Sequence, residues 1–174
     1  RIVGDKGINE LVAAFDKLSI ENENVKLLLV GPFESDLDPL NKKTIAIIDD
    51  NKKIISTGFQ KDVRPYFSIA NILTFPSYRE GFPNVVMQAG AMMLPSIVTD
   101  INGCNEIIIE GENGWIIPVK NEEALLNAMK NCFTLSNELM KVKLNARKMI
   151  TNRYEQGVVW KAILTEYNSL EENM

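Results

Sequence analysis

A chain of 174 residues, 45% apolar and 24% charged, is long enough for one domain with a buried core and is ordinary in composition for a soluble globular protein. Its formal net charge of −4 argues against non-specific binding to nucleic acid, which depends on cationic surface to displace counterions. No run approaches the roughly 18 apolar residues that span a bilayer, and no charged-then-apolar leader opens the chain. There is no histidine, so the usual general base, the usual metal ligand and every Ser-His-Asp or Cys-His nucleophile are excluded within these residues. Chemistry falls to carboxylates, amides, cations and backbone dipoles.

Arg1 rather than Met begins the chain and a turn-forming sequence follows almost at once, which reads as a piece of a longer protein whose N-terminal half is missing. Ile8, Leu11, Val12, Ala14, Phe15 and Leu18 then recur at helical spacing and predict a helix over 7–18. Val25–Val30 is nearly unbroken in apolarity, as a central strand covered on both faces would be, and it stops at Gly31-Pro32. A weaker helical pattern covers 39–50, and Lys53–Ser56 reads as a second strand. The segment Gly58-Phe59-Gln60-Lys61-Asp62-Val63 is then a loop ahead of a short apolar helix, or a simple turn.

Asn71–Phe75 is the next strand, ended by Pro76-Ser77, and a helix opens near Pro83 or Asn84, since proline wastes no hydrogen bond in a first turn. Strands follow at Ser96–Thr99 and Gly114–Ile117. From Asn121 to Leu170 the pattern is helical, with Asn121-Glu122-Glu123 and Ser136-Asn137-Glu138 opening helices and Trp160, Ile163, Leu164 and Tyr167 forming an apolar stripe. Cys104 and Cys132 are too few for a disulfide scaffold and fit a reducing cytoplasm, Cys104 as a small packing residue. This alternation predicts one α/β domain over 1–174, a Rossmann-like doubly wound parallel sheet of about six strands with helices on both faces. Ligands of such sheets bind outside the carboxyl ends of the strands.

The residues rich in chemistry fall at those ends. Between the strand at 71–75 and the next helix lies Glu80-Gly81-Phe82-Pro83-Asn84-Val85-Val86-Met87-Gln88-Ala89. With the helix beginning near Pro83, Gln88 stands one turn inside it and leans back toward Glu80, while the unpaired amides of the helix tip favour phosphate oxygens. Arg1 and Lys6 flank a tight turn at Gly4-Asp5, from which both cations could reach one diphosphate, although exposed cations are more often merely solvated. Asn102 and Asn105 serve as helix caps or as a pocket rim.

The stretch from Glu80 to Gln88 resembles the Glu-x7-Glu motif of the family 4 glycosyltransferases, which have the two-domain GT-B fold, with Gln88 standing where the second Glu is usual. Arg1, Lys6-Gly7, Val30-Gly31, Gly58-Phe59, Pro76-Ser77, the run Leu94–Asp100 and Asn102–Ile107 resemble the family's pattern in the same order. The resemblance implies the C-terminal, donor-binding domain of a retaining, metal-independent glycosyltransferase. Arg1 and Lys6 would then stabilise the departing diphosphate and Glu80 would face the donor sugar. Backbone around Gly81, Phe82, Pro83, Asn84 and Val85 would contact sugar and phosphate, Gly58 and Phe59 would pack on the base, and Gln88 would meet the ribose through weaker hydrogen bonds than a carboxylate makes.

No cofactor is implied beyond the donor itself, a nucleotide-diphosphate sugar with uridine preferred. The implied acceptor is a glycan or lipid-linked sugar held by the N-terminal half, in bacterial capsule or lipopolysaccharide synthesis, at the inner face of the membrane. In that architecture the last helix packs on the N-terminal domain, so the Trp160–Tyr167 stripe would be left exposed here or would pack on a neighbouring chain. Asp36-Leu37-Asp38 matches a metal-binding signature of a different glycosyltransferase architecture, and is read instead as acidic residues favoured by the dipole of the following helix. A sugar-nucleotide epimerase of the same architecture and a silent nucleotide-sugar-binding module remain as alternatives. Glu80 is expected to have few packing contacts.

Overall fold

The computed structural model describes the chain apart from Ser35, Leu37, Leu135, Asn173 and Met174, and within helices it leaves aside the side chains of Thr134, Ser136, Asn137, Glu138 and Glu172. Strands β1 (Leu27–Val30), β2 (Ile54–Gly58), β3 (Leu73–Phe75), β4 (Ser96–Thr99) and β5 (Gly114–Ile117) alternate with helices α1 (Ile8–Glu21), α2 (Lys42–Asp50), α3 (Arg64–Ile69), α4 (Asn84–Ala91) and α5 (Cys104–Ile107). Helices α6 (Glu122–Thr134), α7 (Ser136–Tyr154) and α8 (Gln156–Glu172) complete the chain. Asn41 and Asn121 cap α2 and α6, their side-chain oxygens accepting from Thr44 N and Ala124 N at 2.7 and 2.9 Å. Among the described residues no helix is long and apolar enough to cross a membrane.

Every strand pairing is parallel, in two hydrogen-bonded pieces, β1-β2 and β3-β4-β5. Ile2 extends the first piece through a bridge to Phe33 and a 2.8 Å bond from its N–H to Pro32 O. Among the described residues there are five strands, close to the six or so that the sequence predicts, and Ile2 adds only a bridge. The physical reason is local: after Ile2 and Val3 the chain bends into a 3-10 turn at Gly4–Lys6, too soon to build a ladder.

One core joins the two pieces, because Ile2, Leu29 and Ile54 meet Ile97 and Ile117 beneath the apolar stripes of α1 and α6. The next residue along each strand faces the other way, as the two-residue period requires. Val98 packs with Val86, Cys104, Ile107 and Ile150 of α4, α5 and α7, with Ile116 against them. Helices thus cover both faces, as expected of a doubly wound fold. β1 departs from its sequence: only Leu29 is buried, and Leu27, Leu28 and Val30 are half-buried. Helix α3 does not shield that face, since its Phe67 packs with Ala89 and Leu94.

Two helices end in ways that steer the chain. α4 closes with Leu94 N bonded to Ala89 O and Met93 N to Gly90 O, both at 2.9 Å, a paired C-terminal closure that puts Met93 in the left-handed region at φ 62°. α8 leaves the body of the domain, and its stripe is open to solvent, with Trp160 62% and Tyr167 64% exposed beside exposed Ile163 and Leu164.

Candidate functional site

The turn that carries Lys6 is organised from a distance. Asp38 O accepts from Gly4 N at 3.0 Å, and its carboxylate accepts from Asp5 N at 2.5 Å. Asp38 is therefore not an acid placed by the dipole of α2, which starts only at Lys42, but the group that ties down the Gly4–Lys6 turn. Leu37, the centre of the acidic tripeptide, lies outside the described residues. Among the described residues no three carboxylate or thiol groups cluster as metal ligands.

Gly7 ends the turn at φ 68°, and a Cβ there would lie 2.0 Å from Pro76 O, so turn and loop touch backbone to backbone. Tyr78 N donates to Asp5 O at 2.9 Å, and buried Ser77 adds its hydroxyl to the same carbonyl at 3.4 Å. The result is a short contact between residues far apart in sequence: Lys6 Nζ lies 2.6 Å from Glu80 Oε1, with the side chains only 19% and 17% exposed. Cys104, fully buried nearby, has its thiol pushed up to about 12 by burial, then by the Glu80 carboxylate, with Lys6 opposing. Glu80 is thus a paired, largely covered carboxylate, contrary to the expectation of few contacts.

Beyond Glu80 the loop is pressed against the end of β4. Gly103 has φ 77°, and a Cβ on it would come within 2.2 Å of Gly81 O. Glu106 reaches back to accept from Gly103 N at 3.1 Å. This carboxylate, and neither Asn102 nor Asn105, does the capping; Asn105 Nδ2 donates to Asp100 Oδ1 at 2.9 Å. Pro83 precedes the first turn of α4, and Val86 N and Met87 N bond back to it at 3.1 and 3.4 Å. The amides of Asn84 and Val85 at the helix tip are left with no intrahelical acceptor. Gln88 is exposed one turn along.

Phe82 meets Tyr154 edge to face, ring centroids 5.4 Å apart, at the end of α7. Arg153 and Tyr154 both donate to Glu106 O, at 2.7 and 3.2 Å. These two residues and Tyr78 were missed by sequence reasoning, which gave Asp38 a different role and took Glu106 only as part of the Asn102–Ile107 run. Only Glu106 carried a local signal, an acid three residues after the start of a helix.

Arg1 and Lys6 donate to different carboxylates. Arg1 is paired with Glu34 at 3.4 Å, and its side chain is 54% exposed. Its backbone runs against Gly31, whose N–H donates to Gly58 O at 3.0 Å. Gly58 has φ 67°, and Phe59 beside it is 74% exposed. The predicted residues thus fall into two groups: Lys6, Glu80 and the start of α4 at the end of β3, and Arg1, Gly58 and Phe59 at the ends of β1 and β2. Neither group lines the hollow of about 420 Å³ between α1 and α2. A second hollow, of about 300 Å³ beside Ile2 and Phe33, takes in only Glu34, the partner of Arg1. The predicted residues lie instead at the carboxyl edge of the sheet.

Fold and site define an open-sheet α/β domain with its polar residues gathered at the carboxyl ends of parallel strands, a class that holds its ligands there. Residues 1–134 match the family described as Glycosyl transferases group 1, and the chain belongs to that family. It is 27% identical over 169 residues to the capsular polysaccharide biosynthesis glycosyltransferase CapM of Staphylococcus aureus, covering 97% of this chain and 44% of that protein. A glycosyltransferase from Rickettsia africae superposes with a TM-score of 0.87 at 24% identity, over 100% of this chain and 47% of that one. Anabaena Alr3699/HepE, crystallised with UDP, gives 0.84 at 20% identity, over 97% of this chain and 47% of that one. These structural likenesses speak to the GT-B glycosyltransferase fold, and the chain spans about half the length of the proteins it matches.

Proposed function

We propose that this chain is the donor-binding half of a retaining glycosyltransferase that moves a hexose from a uridine-diphosphate sugar to an acceptor glycan or lipid-linked sugar held by an upstream N-terminal domain. The observation that carries the reading is the 2.6 Å Lys6–Glu80 pair on the loop that leads into the α4 tip. As the bond from sugar to phosphate breaks, charge grows on the departing phosphate. Lys6 and the helix tip are fixed to receive it, an arrangement worth about 3 kcal/mol per well-placed donor. Glu80 holds Lys6 in place and faces the sugar. Arg1 would reach the diphosphate after exchanging Glu34 for phosphate, a small cost for an exposed pair. Phe59 and the Gly58 backbone would flank the base, and Gln88 the ribose. The departing phosphate helps to deprotonate the acceptor hydroxyl, and neither a metal nor another cofactor has a step.

The exposed stripe on α8 would pack on the upstream domain. The similarity to CapM and the UDP bound in the Anabaena structure favour a role in bacterial cell-surface polysaccharide synthesis on the cytoplasmic side, at the membrane periphery. Calorimetric titration of the chain with uridine, guanosine and adenosine diphosphate sugars tests donor binding. Micromolar to millimolar binding of one uridine sugar is expected, and saturation by none of the three classes would sink the reading. With the upstream half restored, sugar transfer supports it, a product epimer points to an isomerase, and binding without turnover points to a silent module in which Gln88 marks a decayed site.

A further inference from the structure

Lys6 and Glu80 sit on separate loops, and the spacing between them depends on whatever fastens one loop to the other. Tyr78 does this at three points. Its N–H is bonded to Asp5 O at 2.9 Å, next to Lys6 in sequence, and its own position is two residues before Glu80. Its hydroxyl donates to the carboxylate of Glu10 in the first turn of α1, 2.7 Å from each oxygen. The ammonium of Lys120, which follows β5 with a left-handed backbone at φ 55°, stands 4.8 Å from the centre of the ring.

We propose that Tyr78 is a positioning residue of the donor site: held by Glu10, it locks the Glu80 loop onto the Lys6 turn and sets the cation–carboxylate spacing that lets one end of the site read phosphate and the other read sugar. The inference rests on the donor-site reading above. The carboxylate partner of Lys6 is Glu80, at 2.6 Å, on the loop that Tyr78 fastens. A phenol is a protonated donor at neutral pH, and burial, reinforced by Glu10, pushes this one further up from its ordinary range. In the donor-site reading Lys6 meets the diphosphate that UDP and its sugars share, whereas Glu80, on the loop that Tyr78 carries, faces the sugar alone. Loss of the Tyr78 tether should therefore weaken the extra affinity that the sugar brings, more than the affinity for UDP.

The test compares binding of UDP with that of the tightest of UDP-glucose, UDP-galactose and UDP-N-acetylglucosamine, by calorimetry on the full chain and its Tyr78→Phe variant. A fall of five-fold or more in the ratio of the two affinities is expected, with UDP affinity changed less than two-fold. Simple destabilisation would not move that ratio. Glu10→Ala should reproduce the effect, the double variant should add nothing to either single one, and Glu10→Gln, which keeps an acceptor for the phenol, should restore most of the ratio. If Tyr78→Phe does not fold, the Glu10→Ala and Glu10→Gln pair gives the same readout. A ratio within two-fold of the parent, or effects that add, overturns the proposal. Failure of the unsubstituted chain to bind any of these nucleotides overturns the donor-site reading, and this inference with it.

Discussion

Removing either partner of the Lys6–Glu80 pair should cost more than removing both. At 2.6 Å the Coulomb attraction is about 1.6 kcal/mol in bulk water and about 6 kcal/mol at an effective dielectric constant near 20. Side chains 19% and 17% exposed lie nearer the second limit, but dehydrating both charges offsets most of that gain. A coupling of about 2 kcal/mol remains. Glu80→Ala should then lower unfolding free energy by about 2–3 kcal/mol, since Lys6 is left largely covered with no counter-charge. For a chain of this size the loss corresponds to a fall in Tm of about 4–10 °C. The double variant Lys6→Met with Glu80→Leu should lose no more than about 1 kcal/mol, because two apolar groups leave no charge unpaired. Urea denaturation of the four proteins in the cycle gives the coupling directly. Losses that simply add would show the short contact to be energetically idle, and the claim that Glu80 holds Lys6 for the phosphate would go with it.

Gly7 and Gly58 share a left-handed backbone but not their surroundings, since a Cβ meets Pro76 O at 2.0 Å at the first and nothing within 4 Å at the second. Gly58→Ala should cost about 1 kcal/mol and Gly7→Ala at least about 3 kcal/mol; equal melting points for the two would refute the backbone contact. Met93 occupies the left-handed closing position of α4 without glycine's freedom, so Met93→Gly should stabilise by about 0.5–1 kcal/mol in thermal melts, and a loss would mean that its half-buried side chain packs better than the backbone strain costs. Burial pushes the Cys104 and Cys132 thiols up from about 9 to about 12. A raised folded-state value gives stability that is complete below pH about 9 and is lost as pH rises toward about 12, so the Cys104→Ala, Cys132→Ala double variant should lose less stability across that window than the parent. Identical alkaline unfolding curves would refute this. Gln88→Glu should keep or improve uridine-sugar affinity, and a ten-fold loss, about 1.4 kcal/mol, would contradict the ribose assignment.

Elements with a strong local period were legible before the structure: Ser96–Thr99 and Gly114–Ile117 match their strands, and α4 opens at Asn84 as expected, with Pro83 at the cap and not in the first turn. Boundaries slipped where neighbours decide them. Val25 and Lys26 look like strand but pair with nothing until Leu27, because register with β2 begins at Ile54. The edge at which the candidate residues gather was legible too, since parallel topology sends every strand's carboxyl end to one side. The pairings there were not. Lys6 and Glu80 are 74 residues apart, and their distance is set by the Asp38 carboxylate, the close approach of Gly7 to Pro76 and the Tyr78 backbone, long-range contacts that no local pattern marks.

Arg1 shows the converse limit. Its charge and its place at a strand end both pointed toward the diphosphate, yet the nearest carboxylate, Glu34, is the one that takes it. A cation's role at a strand end is fixed by which anion reaches it first, and that competition depends on distances that no spacing rule contains. The two cations therefore stand in different conditions. Arg1 is exposed and must exchange a weak partner, whereas Lys6 is covered and already aligned by Glu80. If both serve one diphosphate, Lys6→Ala should impair binding by removing a preorganised charge, while Glu34→Gln should strengthen it by freeing Arg1. A Glu34→Gln variant that binds uridine sugars more weakly than the parent would mean that the Arg1–Glu34 pair, and not Arg1 alone, belongs to the site.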